Sequence, residues 1–400
     1  MSLAGSQQRT FLHLLVALRP EWHRDENLPA RIQALLARNR AFGSRDRRLY
    51  RELIYTTLRH LPWIEPLLDT APDRAVKIAA WLAADTPATS RLRAELTADW
   101  PALPVSLAER AAFLQQSAEA LLPAWFREHS PEVFAPAELD AQLRRAPLWL
   151  RLQTDDPAAV LREFEQRGWA TAPSPILPGA LQVFGDVDVT QSDAYQRGAI
   201  EVQDLGSQLL LETAGLTPGG RWLDACAGAG GKTLQLARLL GPSGHVDAYD
   251  VRPAALRELA LRAARAGLKN IAVLPAPATA TYDGVLVDAP CSGTGTWRRS
   301  PHLKWTTTAR RVSQAAAQQQ AILAELAPRV RPGGRLIYAT CSLSRQENED
   351  VIAAFLAQNP AFAPVPPAQS FGFPLRGGGL TFLPARHDTD GFFVASLQRT

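Results

Sequence analysis

The chain has 400 residues, 46% hydrophobic and 20% charged, the balance of a globular protein long enough for two or three domain cores. Its three cysteines, Cys226, Cys291 and Cys341, are too few and odd in number for a disulfide framework, and no Cys-His cluster points to a structural metal. There is neither an apolar run of about 18 residues nor a basic-then-apolar leader, so the expectation is a cytoplasmic protein away from membranes.

The net charge of +4 is carried almost wholly by arginine, with Lys77, Lys232, Lys269 and Lys304 as the lysines. Arginine suits planar, bidentate phosphate recognition, which makes nucleic acid a candidate partner. Residues 7–125 read as helical, because "FLHLLVAL", "LPARIQALLARN", "DRRLYRELIYTTLRHL" and "SLAERAAFLQQSAEALL" repeat apolar residues every three or four positions. Ser44 ahead of Asp46 reads as a helix start. Arg38, Arg40, Arg45, Arg47, Arg48, Arg51 and Arg59 cluster here; they either hold phosphates or form the wet faces of helices. An all-helical domain is expected over 1–135.

Residues 140–215 change texture. "LWLRLQ" and "ALQVFG" alternate like strands around the helical "DPAAVLREFEQRG", closed by Gly168, which predicts a small α+β module. From 216 to 400 short apolar strands, among them "RWLDACAG", "GHVDAYD", "YDGVLVDAP" and "GRLIYATCS", alternate with helical segments. That pattern argues for a doubly wound parallel sheet, with "GFFVASLQ" closing it antiparallel.

The first of these strands runs into the glycine loop "DACAGAGGKT". A phosphate-cradling loop needs glycine five residues before Gly231, where Cys226 stands, and a dinucleotide fingerprint from Gly228 needs glycine where Thr233 stands. A third reading is an S-adenosylmethionine loop, with Asp224 ending the first strand and Asp250 after the second to take both ribose hydroxyls. Further on, Cys291 and Cys341 each follow a strand. In open α/β sheets ligands sit outside the carboxyl ends of strands, so neighbouring strands would turn both thiols toward one crevice. A lone cysteine is usually a small buried hydrophobe; two at matching strand ends suggest chemistry. A thiolate adding to carbon 6 of a pyrimidine makes carbon 5 nucleophilic toward an electrophilic methyl group, with Asp288 offsetting charge near N3. Positive surroundings favour the thiolate, and Lys232 and Lys304 are candidates to supply them.

"DAPCSGTG" followed by "RRSPHLKW", then "YATCSLSRQENEDVI" and "DGFFVA", resemble the motifs of RNA 5-methylcytosine methyltransferases of the RsmB/Nop2/Sun family. "VQDLGSQL" resembles the segment that precedes the donor loop in that family, and the likeness extends over about 140–400. The N-terminal helices, with "SRDRRLYRELIYTTLRHL", resemble the NusB-like RNA-binding domain of the family's ribosomal RNA members. The resemblance implies a Rossmann-like class I methyltransferase domain at 216–400, behind an RRM-like α+β module at 140–215. It makes Cys341 the covalent nucleophile and Cys291 the residue that helps release the product, with Asp288 and Lys232 beside them. S-adenosylmethionine would be held by Asp224, Cys226, Ala227, Gly228, Ala229, Gly230, Gly231, Lys232, Asp250 and Asp288.

The substrate implied is a cytosine in RNA, foremost 16S rRNA. The alternatives are a tRNA cytosine or an RNA-binding ribosome-assembly factor of weak activity. Arg298, Arg299 and Lys304 would hold phosphates and Trp297 or Trp305 would stack, joined by Arg47 and Arg48; a rim loop packed by its own tryptophans is the competing reading. No metal is expected, and the protein is expected to be a monomer. Two departures stand out: the loop reads "CAGAGGK" where the family has "CAAPGGK", and "VLPAPATATYDG" carries no acid after the third strand and is short for a crossover helix. Asp283 in that stretch is expected to be structural.

Overall fold

The computed structural model describes residues 3–400, which form two compact units: 3–145 with Thr296–Ala309, and Ala146–Gly295 with Arg310–Thr400. The first is helical. Helices Leu3–Leu18, Leu28–Arg38, Ser44–Arg59 and Pro72–Leu82 bury the apolar faces read from the sequence, including Phe11, Leu15, Ile32, Leu53 and Val76. The helix at Ser44 starts as expected, with the Asp46 carboxylate accepting from the Gly43 N–H at 3.0 Å. The helical run expected through Leu122 instead ends at Leu114, because Gln115 turns left-handed (φ 57°).

Residues 296–309, read above as an RNA-facing rim, are core to this helical unit. Trp297 is 1% exposed and packs on Phe126 with ring centroids 4.7 Å apart. The Trp305 indole N–H donates to the Leu58 carbonyl at 2.7 Å. Arg298 is fully buried and donates to the Arg145 carbonyl at 3.3 Å. Lys304, 1% exposed, donates to the carbonyls of Arg59 at 2.9 Å and Leu121 at 3.1 Å. Burial, and then the Arg59 charge, push its pKa well below the ordinary lysine value. The expectation that Arg298 and Lys304 hold phosphates, and that Trp297 stacks on a base, is therefore corrected: their polar ends are used on backbone carbonyls inside the unit. Arg299 and Arg48 are exposed, and Arg47 is half-buried.

Two histidines of this unit give it a pH dependence. Burial lowers His60 from 6.5 to about 3, against the opposing hydrogen bond to the Thr56 carbonyl, and lowers His302 to about 4. Both are neutral when folded, so below pH 6.5 the unfolded chain takes up protons first. Stability is intact above pH 6.5 and falls as pH drops toward 4. At pH 5 the His60 contribution is about 2 kcal/mol. Thermal unfolding followed by tryptophan fluorescence should show a clear drop in midpoint from pH 7.5 to pH 5, and His60→Asn should flatten the slope.

The second unit holds two sheets. Strands β1 (Leu148–Leu152), β2 (Thr171–Pro173), β3 (Ala180–Val183) and β4 (Ile200–Val202) form an antiparallel sheet in the order β2-β3-β1-β4. Leu150, Val160, Phe164, Leu181 and Val183 make its core. The larger sheet begins with β5 (Gly220–Asp224), β6 (Gly244–Ala248), β7 (Ile271–Val273), β8 (Tyr282–Asp288) and β9 (Val330–Thr340). It continues with β10 (Phe362–Pro364), β11 (Leu375–Arg376), β12 (Gly379–Phe382) and β13 (Phe392–Arg399). Its order is β11-β12-β13-β9-β8-β5-β6-β7, with β10 on β13. β5 to β9 pair in parallel, and β13 closes antiparallel on β9, as the sequence pattern predicts. The central strand β8 is largely apolar because helices cover both faces; its Val285, Leu286 and Val287 are wholly buried. No helix joins β7 to β8. Asp283 is structural, accepting from the Arg221 N–H at 2.6 Å and pairing with Arg331 at 2.5 Å. Among the described residues no helix is long and apolar enough to cross a membrane.

Candidate active site

β8 and β9 run in parallel with Asp288 opposite Ala339, so the chain leaves both strands at the same edge. The two thiols follow: Cys291 Sγ and Cys341 Sγ lie 3.2 Å apart. Glycine makes this approach possible. The Gly295 N–H donates to the Cys341 carbonyl at 2.9 Å, and a Cβ on Gly295 would lie 2.0 Å from the Gly391 carbonyl oxygen. The glycines of "SGTG" and "DGFF" are thus one close backbone contact.

The two sulfurs are not equivalent. The hydrogen bond to Cys341, then burial, then the Cys341 charge push the Cys291 thiol well above its ordinary pKa. Either sulfur can be the donor in this contact, and the raised Cys291 makes Cys341 the candidate for the thiolate. Lys232 supports that charge. Its Nζ donates to Asp288 Oδ2 at 2.8 Å. Burial acts to lower the Lys232 pKa, but the Asp288 charge and hydrogen bond, with Cys341 and Asp224 behind them, carry it above the usual value. Lys232 is thus a lasting cation, paired with Asp288 and placed to favour negative charge on Cys341. Lys304, the other candidate for that role, is held in the helical unit on backbone carbonyls.

The glycine loop lies in the same unit, between β5 and the helix Gly231–Leu240. Gly230 has φ 91°, and a Cβ there would press to 2.8 Å on Leu259 and 2.9 Å on Leu234. A Cβ on Gly231 meets nothing within 4 Å, so the loop opens at the helix N-terminus. Asp224 Oδ2 accepts from Thr233 at 2.7 Å while the buried Oδ1 has no hydrogen-bond partner. Burial raises this carboxyl to about 7, assisted by Asp288 and opposed by Thr233. Asp250 Oδ2 accepts from the Gly228 N–H at 2.8 Å, and Arg252 clasps the same carboxylate at 2.8 and 3.0 Å, holding its pKa below the usual range. Cys226 is pushed far upward by burial first and then by Asp224, Asp288 and Asp250, which makes it an inert thiol of the loop. Ala227 is buried beside it. An unpaired carboxylate oxygen, an open glycine and an acid against the loop fit a polar ligand of nucleoside type.

Several residues that place these groups are not evident in the sequence pattern. Arg151 in β1 donates to the Gly231 carbonyl at 3.0 Å and Arg262 to the Ala229 carbonyl at 2.6 Å, with Glu201 of β4 gripping Arg262 at 2.6 Å. The small antiparallel sheet thus holds the carbonyl side of the glycine loop. Glu347 and Asn348, within the "RQENED" run after Cys341, bind the two cysteine loops. A charged residue close behind a catalytic motif was their only signal.

A parallel sheet in this order, with a glycine loop after its first strand and an acid after the second, defines a class I S-adenosylmethionine-dependent methyltransferase domain. Residues 213–398 match the family model described as 16S rRNA methyltransferase RsmB/F. The ribosomal RNA small subunit methyltransferase B of Xylella fastidiosa (strain Temecula1) is 34% identical over 293 residues, covering 70% of this chain and 68% of the relative. That of Yersinia pestis bv. Antiqua (strain Angola) is 32% identical over 306 residues, covering 73% and 69%. A crystal structure of a methyltransferase homolog protein from Pyrococcus horikoshii superposes with a TM-score of 0.58 at 25% identity, over 73% of this chain and 98% of that one. The chain belongs to the RsmB/F family of ribosomal RNA methyltransferases, and its methyl donor is S-adenosylmethionine.

If Asp250 takes the ribose hydroxyls, Asp250→Ala should weaken S-adenosylmethionine binding by about 1.5–3 kcal/mol, the range for hydrogen bonds to a charged group. Calorimetry on the purified protein measures it, and an unchanged affinity removes Asp250 from the donor site.

Proposed function

We propose that this protein methylates carbon 5 of a cytosine in 16S rRNA through a covalent adduct between Cys341 and carbon 6 of the base. The observation that carries the proposal is the 3.2 Å approach of the two sulfurs at adjacent strand ends, beside the Lys232–Asp288 pair. The Cys341 thiolate adds to carbon 6 of a base turned out of its stack. The Lys232 ammonium, held in place by Asp288, offsets the negative charge that develops near N3. S-adenosylmethionine, held by residues 224–232 and Asp250, supplies an electrophilic methyl group for carbon 5. Once water takes the carbon 5 proton, the electron pair of that C–H bond restores the ring double bond, the carbon 6–sulfur bond breaks and Cys341 leaves as thiolate. The Cys291 thiol, placed to donate to that sulfur, stabilises it as a leaving group. The relatives' names favour small-subunit ribosomal RNA over tRNA. Two close thiols beside a buried ion pair favour an enzyme over a weakly active assembly factor.

Because departure of Cys341 needs the Cys291 proton, Cys291→Ala should accumulate an RNA–protein adduct on a denaturing gel, and Cys341→Ala should form none. The reverse pattern would exchange the two roles. Bisulfite sequencing of rRNA and tRNA from cells lacking the gene tests the substrate: a lost 5-methylcytosine in 16S rRNA is the expected result, and one lost from tRNA alone overturns it.

A further inference from the structure

Glu347 lies just before the helix Glu349–Gln358, with no solvent exposure. Its Oε1 accepts from the hydroxyls of Ser292 and of Ser342, the latter at 2.7 Å. Its Oε2 accepts from the Ser292 N–H at 2.8 Å and from Gln319 Nε2 at 3.0 Å. Ser292 and Ser342 directly follow Cys291 and Cys341. Among the described residues no lysine or arginine forms an ion pair with Glu347.

Taking a carboxylate out of water costs several kcal/mol, so a buried one without a cation is a poor device for stability. What offsets that cost here is hydrogen bonding, and three of the four donors come from the residues beside the two cysteines. A carboxylate is acceptor-only at both oxygens, so it can draw on both loops at once. Thr294 and Gly295 also join the loops, through the Leu343 N–H and the Cys341 carbonyl, each at 2.9 Å, but by neutral hydrogen bonds. Asn348 accepts from Thr340 Oγ1 at 2.6 Å and donates to the Ser342 carbonyl at 2.9 Å, which secures the Cys341 loop alone.

We propose that Glu347 is a positioning residue of the two-cysteine site, tying the loops of Cys291 and Cys341 together so that one sulfur can donate to the other. The consequence for the reaction rests on the covalent reading above; the geometric role does not. Glu347→Gln keeps the shape but removes the charge and one acceptor oxygen: its NH2 opposes the Ser292 N–H in one orientation, and in the other the two hydroxyls must turn round to accept from it. The loops should then part at the sulfurs without the sheet being disturbed.

The test is cross-linking of the two thiols in the full chain, without RNA or donor, by diamide. This oxidant accepts the two electrons and two protons that the thiols give up as the S–S bond forms. Peptide mass spectrometry, which separates the Cys291–Cys341 link from any link to Cys226, follows the rate, with S-adenosylmethionine binding as the folding control. Glu347→Gln should slow cross-linking tenfold or more. It should lower kcat for RNA methylation by about a hundredfold, the cost of misplacing a reacting group by about 1 Å, with KM for RNA unchanged. A cross-linking rate equal to the parent's, with donor binding retained, overturns the proposal. Should Glu347→Gln lose donor binding, Ser342→Ala, which removes one of the hydroxyl donors, is read instead: slower cross-linking supports the role and an unchanged rate overturns it. A parent chain that cross-links readily yet forms no adduct with RNA would sink the reaction assigned above and leave the positioning role standing.

Discussion

The parallel pairing of β8 with β9 is the constraint on which the site depends. With Asp288 opposite Ala339, two chain segments must leave one sheet edge side by side, and each carries a cysteine within a few residues. The sheet sets only the approach. The last few ångströms come from backbone contacts that need glycine at 295 and 391. Regular structure brings the reactive groups near one another, and irregular loops finish the placement.

Lysines 232 and 304 show how little residue type says about role. Both are buried. Lys232 meets Asp288 and the charge on Cys341, so its own charge is favoured and stays. Lys304 meets two backbone carbonyls and the Arg59 guanidinium, so its charge is disfavoured. One supplies a field for a thiolate. The other joins residues 296–309 to the helical unit through acceptors some 180 and 245 positions away in the chain.

That distance explains what the sequence showed and what it hid. The doubly wound sheet, its antiparallel closing strand, the glycine loop and the cysteines at strand ends are local or periodic features, and periodicity survives in a single sequence. The role of "TWRRSPHLKW" is not local. Its arginines and lysine have long apolar stems and polar heads, and such heads look solvated unless the carbonyls that receive them are known. Glu347 was hidden for a related reason. In "SRQENED" it reads as one more acid at a wet helix start, and only the folded backbone brings Ser292, 55 positions away, to its carboxylate.

The donor site follows the same division between local motif and distant support. In the glycine loop the N–H groups of Ala227, Gly228 and Gly230 are taken by the Tyr249 carbonyl, Asp250 and the Ala227 carbonyl, and the loop's carbonyls must be satisfied from behind. Arg151 and Arg262 do this at Gly231 and Ala229, and Glu201 fixes Arg262. Two of these three residues belong to the small antiparallel sheet, so that module is part of the donor site's scaffold whatever else it binds. On the acidic side the connection from β7 to β8 brings no carboxylate, which leaves Asp250 as the acid that faces the loop from the second strand. Its carboxylate is paired to Arg252, a side chain 68% exposed. An exposed arginine is held by little beyond that pair and can turn into solvent at small cost. The Asp250 carboxylate is thus kept ordered and charged by a partner that a competing ligand can displace.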